Sequence, residues 1–147
     1  MSRGPHIGDI EKEIQDRSDN KDPGLKIKGL DKKYVTTYEG YKVFEVDSEW
    51  IRNNLDVIFG SGGHGRVHTF IPQDEVWIAK GYNADYQARC IIHECHEHGK
   101  MKDLPYYHAH QSSQKEEFMR PEDQVKLKEA ILNARKSNHG ISDLKKR

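Results

Sequence analysis

The sequence predicts an α+β domain in which a small antiparallel sheet packs on a metal-bearing helical hairpin and a C-terminal helix. Three observations predict it. Short segments with strand character come before residue 80, segments with helix-capping residues follow residue 83, and five of the nine histidines fall between residues 93 and 110. A length of 147 residues suits a single domain.

The composition divides the chain into three regions. Hydrophobic residues make up 34% of the chain and charged residues 33%, which favours a compact middle with charged ends. Residues 1–32 form a charged peripheral segment, with a short helix predicted at Ile7–Asp19 and a turn at Asp19–Gly24. Residues 33–119 form the metal-binding core, and residues 120–147 a C-terminal helix and basic tail.

The first part of the core, which begins near Tyr34, predicts a strand and a short helix. Apolar and polar residues alternate weakly in Tyr41–Val46, as in a strand with one buried face. Asp47 and Ser48 then provide the capping side chains for a short helix, Glu49–Asn54.

Two further strands are predicted after a glycine-rich turn, Gly60–Gly65 (GSGGHG). These are Val67–Phe70 and Glu75–Ala79, separated by a turn at Pro72–Asp74.

Three helices follow. Asn83 is a favourable N-cap for a helix from Ala84 to about Lys100. Pro105 suits the first turn of a helix that ends near Met119, and Pro121 opens a last helix that ends near Lys136. The last helix carries a helically spaced apolar stripe that predicts packing on the core: Leu127, Ala130, Ile131 and Ala134.

The first long helix carries the candidate chemistry in the string HECHE. At 3.6 residues per turn, His93 and Glu97 lie about 40° apart on one face, and Glu94 about 60° beyond Glu97. Side chains at i and i+4 can converge on one ion, whereas the carboxylate at i+1 is offset and can act on a nearby water. This spacing predicts His93 and Glu97 as metal ligands and Glu94 as a general base. The apolar face must then be buried: Ala84, Ala88, Ile91, Ile92 and Cys95.

The second helix supplies the remaining ligands, because a short connection makes it return beside the first helix. Helical spacing puts His110, Gln114 and Glu117 on one face. We predict His110 as the third ligand, and Glu117 as a fourth ligand or as a partner that orients an imidazole. A fourth position left to water would keep the site open for hydrolysis.

Other pairings are open at this point. Glu94 and His98 are also four residues apart, and His93 and His96 are three apart, so either pair could share an ion. The plainest alternative is a polar hairpin whose histidines pair with carboxylates and bind no metal. His108 is expected to face solvent.

The order of four segments, VDSEWIRNNLDVIFGSGGHG, IPQDEVWIA, HECHE and YYHAH, resembles a group of small phage-borne and archaeal proteins. In that group an HExxE helix is followed by a helix with a Tyr and an Ala-His. More distantly, the chain looks like the core of zincin-type metallopeptidases, with Glu97 where their HExxH motif has its second histidine. The resemblance covers roughly residues 38–118. It implies a metal-dependent hydrolase with His93, Glu97 and His110 in ligand positions and Glu94 in the base position.

The sequence is therefore compatible with two functions. The leading hypothesis is a zinc-dependent hydrolase, a metallopeptidase acting on peptides or proteins. The alternative is a non-catalytic, zinc-stabilised module that binds a protein partner, in a phage-related setting. Histidine and carboxylate ligands also suit other divalent transition metals. By analogy with zincins, Glu75–Ala79 would align the substrate, and His64 in the glycine-rich turn is a candidate substrate contact.

The sequence disfavours several other classes. The formal net charge is zero, which gives no general attraction to nucleic acid, and the glycine-rich turn lacks a P-loop lysine. Nucleic-acid binding through the basic tail, where Lys and Arg outnumber Asp and Glu by eight to four from Arg120 onward, is the weakest hypothesis. No membrane span or signal peptide is predicted. Cys90 and Cys95 predict no disulfide, so we expect a cytoplasmic protein, in the host cytoplasm if it is phage-encoded.

Overall fold

The computed structural model describes residues 29–145 of the chain and the side chains of residues 29–136. The predicted helix Ile7–Asp19 and turn Asp19–Gly24 lie outside the described residues. Within the described part, no helix is long and apolar enough to cross a membrane.

In residues 29–145 the architecture is α+β, as predicted, with four strands in one sheet and four helices. The strands are β1 (Lys32–Tyr38), β2 (Tyr41–Val46), β3 (Gly62–His64) and β4 (Glu75–Ala79). The helices are α1 (Ser48–Asn54), α2 (Ala84–Lys100), α3 (Tyr106–Glu116) and α4 (Pro121–Lys145). The strand order across the sheet is β1-β2-β4-β3.

The sheet is mixed, whereas the sequence predicted an antiparallel one. Strands β1 and β2 form an antiparallel hairpin, and β3 is antiparallel to β4, but β2 runs parallel to β4. Parallel neighbours require a crossover connection, and the chain segment that carries α1 and β3 provides it. The sequence had no local signal for this arrangement, because strand direction is set by where that connection returns to the sheet.

The strand predicted at Val67–Phe70 does not form. Residues Val67–Phe70 form turns, in which the carbonyl oxygen of His64 accepts hydrogen bonds from the backbone N–H groups of Val67 (3.2 Å) and His68 (3.0 Å). The strand is instead the glycine-containing segment β3. Strand β1, which was not predicted, is an edge strand whose first residues are exposed, so it lacks a clear apolar alternation.

Two apolar clusters lie on opposite faces of the sheet, because successive strand residues point to opposite sides. On one face Val76 and Ile78 pack against the apolar sides of α2 and α4, and Leu127 and Ile131 of α4 are buried there as predicted. On the other face Trp77 packs with residues from α1 and the following loops, namely Ile51, Phe59, Phe70 and Ile71. Each fully buried aliphatic side chain contributes roughly 1.5–3 kcal/mol.

The predicted helix starts are confirmed by their caps. The side chain of Asp47 accepts a hydrogen bond from the backbone N–H of Trp50 at 3.1 Å, and that of Asn83 accepts one from Tyr86 at 2.8 Å. These caps fix where α1 and α2 begin. Since α2 buries its apolar side against the sheet, its HExxE side is turned towards α3.

Gly63 is required by close packing, and we expect Gly63→Ala to destabilise the fold. A Cβ at this position would lie 2.5 Å from His68 Cδ2 and 2.9 Å from Phe59 Cε1. Both rings are buried, so the overpacking should cost about 1–3 kcal/mol in the free energy of unfolding, measured by urea denaturation. The control is Gly60→Ala, where a Cβ meets no atom within 4 Å. Equal urea midpoints for the two variants would contradict this assignment.

Candidate metal centre

Helices α2 and α3 form the hairpin that carries the candidate ligands. Residues 101–105 connect them, and α3 packs against α2. The fully buried Ala109 lies in a small apolar cluster with Val67 and Met101, and its short side chain lets α3 approach closely. His110, the next residue, is thereby brought beside the HExxE side of α2.

Three predicted ligands converge on one point. Glu97 Oε2 lies 3.0 Å from His93 Nε2 and 2.7 Å from His110 Nδ1, and the two ring nitrogens are 3.2 Å apart. A tetrahedral zinc ion with bonds of about 2.0–2.1 Å separates its ligand atoms by roughly 3.3 Å. A small outward movement of the side chains would therefore admit an ion. These buried histidine and glutamate groups could hold a metal ion.

Glu117 contacts His93 from the opposite side of the ring. Its Oε2 lies 3.0 Å from His93 Nδ1, whereas His93 Nε2 faces the cluster. Because an ionised carboxylate can only accept a hydrogen bond, His93 Nδ1 must carry a proton and donate it to Glu117. The other ring nitrogen, Nε2, can then offer its lone pair to an ion. Of the two predicted roles for Glu117, the geometry favours the partner that orients an imidazole over the fourth ligand.

His64 has a structural relation to the cluster that the sequence did not indicate. Its side chain is fully buried, and Nε2 lies 2.8 Å from Glu97 Oε1. The backbone N–H of Arg66 donates to Nδ1 at 3.2 Å, so Nε2 carries the ring proton and donates to Glu97. This placement corrects the predicted substrate contact, because a side chain without exposed surface cannot touch a substrate.

The same hydrogen bonds decide between two overlapping groups of ligand atoms. His64, Glu94 and Glu97 also lie close enough together to surround an ion. However, a protonated Nε2 has no lone pair for a metal, so His64 acts as a donor that fixes one oxygen of Glu97. The other oxygen is left to the group formed with His93 and His110.

The cluster lies at a cleft of about 520 Å³. Glu94 also lines this cleft; its side chain is 14% exposed, and its Oε2 lies 3.9 Å from His93 Nε2. Glu94 is thus beside the three convergent atoms rather than among them. Further lining residues come from the β3 edge, the hairpin and the turn after β3: Ser61, Gly62, His68, Arg89, Tyr106 and Gln114.

Burial and mutual contacts shift the protonation of the cluster. Burial by itself would raise the pKa of Glu97, but hydrogen bonds from His110, His64 and His93 hold it well below the usual value. Burial lowers the pKa of His93, yet its bond to Glu97 and the surrounding carboxylates outweigh this and raise the pKa to about 9. Without an ion, His93 and Glu97 therefore form a charged pair, and a divalent cation that binds there would displace the proton on His93 Nε2 into solvent.

Glu94 behaves differently from Glu97 because no imidazole hydrogen bond holds it ionised. Burial, reinforced by the charge of Glu97, raises the pKa of Glu94 to about 8. Two neighbouring carboxylates with opposite pKa shifts are typical of sites that hold one permanent charge and move one proton.

The alternative pairings do not form. His96 Nε2 lies 3.1 Å from the hydroxyl of Tyr38. His98 is held between the hydroxyl of Tyr41 at 2.7 Å and Gln73 Oε1 at 2.8 Å, and burial lowers the pKa of His98 to about 3. His96 thus contacts β1, and His98 contacts β2 and the β3–β4 connection, so neither belongs to the ligand group. His108 is exposed, as predicted.

The sequence did not define the roles of two residues that lie at the cleft. His68 was assigned to a strand, but its buried ring lies at the cleft with Nδ1 at 3.1 Å from Asp56 Oδ2. No spacing pattern joins these two positions. Tyr106 stacks on His110 with ring centroids 5.4 Å apart, and its position four residues before His110 was the available signal.

No known protein family, curated protein or solved structure matches this chain. The likeness to small phage-borne and archaeal proteins and to zincins therefore stays a prediction. In the described part of the chain both cysteines, Cys90 and Cys95, are free thiols, as expected.

Glu117 offers a direct test of the ligand geometry. We expect Glu117→Gln to weaken zinc binding by roughly 10-fold, because the amide is a poorer acceptor for His93 Nδ1–H than the carboxylate. Competition with a chromophoric chelator measures the affinity. The matched control is Glu116→Gln, which removes an ion pair with Arg120 (2.8 Å) outside the cleft and should leave the affinity unchanged. Equal affinities in both variants would remove the orienting role.

Proposed function

We propose that the protein is a zinc-dependent hydrolase that acts on peptide bonds. One observation carries the proposal: three convergent ligand atoms lie at a cleft with an additional carboxylate, Glu94, beside them. This combination is what metal-assisted hydrolysis requires, namely an ion with an accessible position and a nearby group that can take a proton.

The ligand count favours a catalytic ion over a structural one. Structural zinc sites have four protein ligands, whereas catalytic sites have three and leave a position for water or substrate. Two nearby groups are not available to complete the set, since Glu117 bonds His93 Nδ1 and His64 donates to Glu97 Oε1. The fourth position would therefore face the cleft.

Glu94 would carry the proton. When bound, zinc would supply Lewis-acid chemistry by lowering the pKa of a water and polarising a carbonyl. Glu94 Oε2, 3.9 Å from His93 Nε2, lies within reach of a water placed between the ligand group and the cleft. The charge of a bound ion would lower the pKa of Glu94 and keep it ionised, so that its carboxylate would accept the proton of the attacking water and return it to the leaving nitrogen.

The edge of the sheet at the cleft would position an extended substrate. Strand β4 (Glu75–Ala79), expected to do so by analogy with zincins, is paired on both sides, with β2 and with β3. The outer strand next to the cleft is β3, and Gly62 lines the cleft there. A peptide would therefore run along β3 and pair with the main chain of this outer strand.

A second candidate function is a zinc-stabilised module that binds a protein partner. Large apolar side chains are exposed near the two sides of the cleft: Val57 (79%), Phe118 (66%) and Met119 (71%). Exposed apolar groups of this kind are common where a partner docks. In that case the ion would close the hairpin and contribute folding energy.

Replacing Glu94 should separate binding from turnover. We expect zinc-loaded Glu94→Gln to keep its zinc but to cleave a library of internally quenched peptides about 10²- to 10⁴-fold more slowly, since the amide cannot take the proton. Glu129→Gln, on the exposed side of α4, is the charge-matched control. Undiminished cleavage by the Glu94 variant would exclude it as the base.

Removing the metal should distinguish the two functions. The apolar clusters on both faces of the sheet contain none of the proposed metal ligands. We therefore expect chelation to abolish peptide cleavage and to leave the far-UV and near-UV circular dichroism spectra unchanged. Loss of both spectra on chelation would instead support a structural ion and the protein-binding module.

A further inference from the structure

Arg89 occupies a distinctive position in the cleft. It lies one helical turn before His93 on α2 and lines the same cleft. Its guanidinium carbon is 5.6 Å from the centroid of the Tyr86 ring and 5.5 Å from that of Phe118. The guanidinium group therefore lies near two aromatic rings, and such cation–π contacts leave its N–H groups available to an acceptor.

The edges of this guanidinium have no acceptor in the described part of the chain. Arg89 forms no hydrogen bond or ion pair there, in contrast to Arg120, which pairs with Glu116, and Arg135, which donates to the carbonyl of Tyr82. Among the described residues that line the cleft, Arg89 is the sole lysine or arginine. The cleft thus contains one guanidinium group whose N–H donors are not engaged by another described residue.

We propose that Arg89 is a specificity-determining residue that binds a carboxylate of the substrate. An arginine fork binds a carboxylate through two parallel N–H···O bonds, and it does so more strongly where water is partly excluded. The proposal rests on the proposed hydrolase function and names its substrate class: peptides with a carboxylate close to the scissile bond.

The helix places the two parts of the site close together. Four residues of α2 separate Arg89 from His93, which corresponds to about 6 Å along the helix axis. The long Arg89 side chain adds to this backbone spacing, and an extended peptide advances about 3.3 Å per residue. The carboxylate bound by Arg89 therefore lies within a few residues of the bond at the ligand group.

The surrounding residues make this selection directional. Of the described residues that line the cleft, Arg89 alone carries a fixed positive charge. With the scissile bond at the ligand group, a substrate carboxylate is favoured at the Arg89 end, so charge defines the direction in which a peptide binds. The carboxylate can come from an acidic side chain or from a free C-terminus, since the same fork fits both.

Hydroxamate-tipped peptides that anchor on zinc test the proposal without turnover. One pair extends a leucine-derived succinyl hydroxamate by glutamate amide or by glutamine amide. A second pair extends it by alanine with a free C-terminal carboxylate or with a carboxamide. Binding of each compound to the zinc-loaded full chain is measured by calorimetry for the unmodified protein and for Arg89→Gln, Arg89→Lys and Lys126→Gln, the last being an exposed control on α4.

The unmodified protein should bind the carboxylate member of at least one pair at least about 10-fold more tightly than its amide. Preference in the first pair assigns an acidic side chain, and preference in the second a terminal carboxylate. Arg89→Gln should reduce the ratio to within about two-fold, Arg89→Lys should lower it partly, and Lys126→Gln should preserve it.

The contrary outcomes are distinct from one another. Tight binding of all four compounds without a charge preference, or a preference that persists in a folded Arg89→Gln variant, overturns the role of Arg89 and leaves the zinc site intact. Failure of every compound to bind overturns the accessible zinc position, and the substrate assignment with it. Thermal unfolding of each variant establishes that it is folded.

Discussion

The buried carboxylate of Glu97 is the constraint on which the site depends. Its residue is 2% exposed, and an ionised group at such a position is costly unless it is paired and hydrogen-bonded. Three imidazoles satisfy it: His64 binds one oxygen, and His93 and His110 share the other. These histidines come from β3, α2 and α3, so one carboxylate fixes how three elements meet.

Apolar packing brings β3, α2 and α3 into contact. Helix α2 buries one side against the sheet and therefore presents the opposite side, with its charged residues, to α3. On the sheet, a Cβ at Gly62 would lie 3.2 Å from Glu94 Cγ, so the absence of a side chain lets β3 lie close to the helix. Apolar contacts thus bring the three elements together, and the hydrogen bonds to Glu97 fix their final positions.

The cleft brings groups of opposite charge close together. The candidate ligands, Glu94, Glu117 and Arg89 all line it, and the guanidinium carbon of Arg89 lies 5.6 and 5.5 Å from the ring centroids of Tyr86 and Phe118. This combination is the basis of the proposed peptide substrate with a carboxylate near the scissile bond.

Local sequence determined the helices and the register of HExxE, because helical periodicity, the cap at Asn83 and the spacing of His93 and Glu97 are short-range properties. It also singled out His110 and Glu117. The tertiary structure alone decided that β2 and β4 are parallel, that His64 holds Glu97 rather than a substrate, and that Glu117 bonds His93 Nδ1. These depend on contacts between segments far apart in the chain, and neither periodicity nor residue type specifies which atom of a side chain meets which partner.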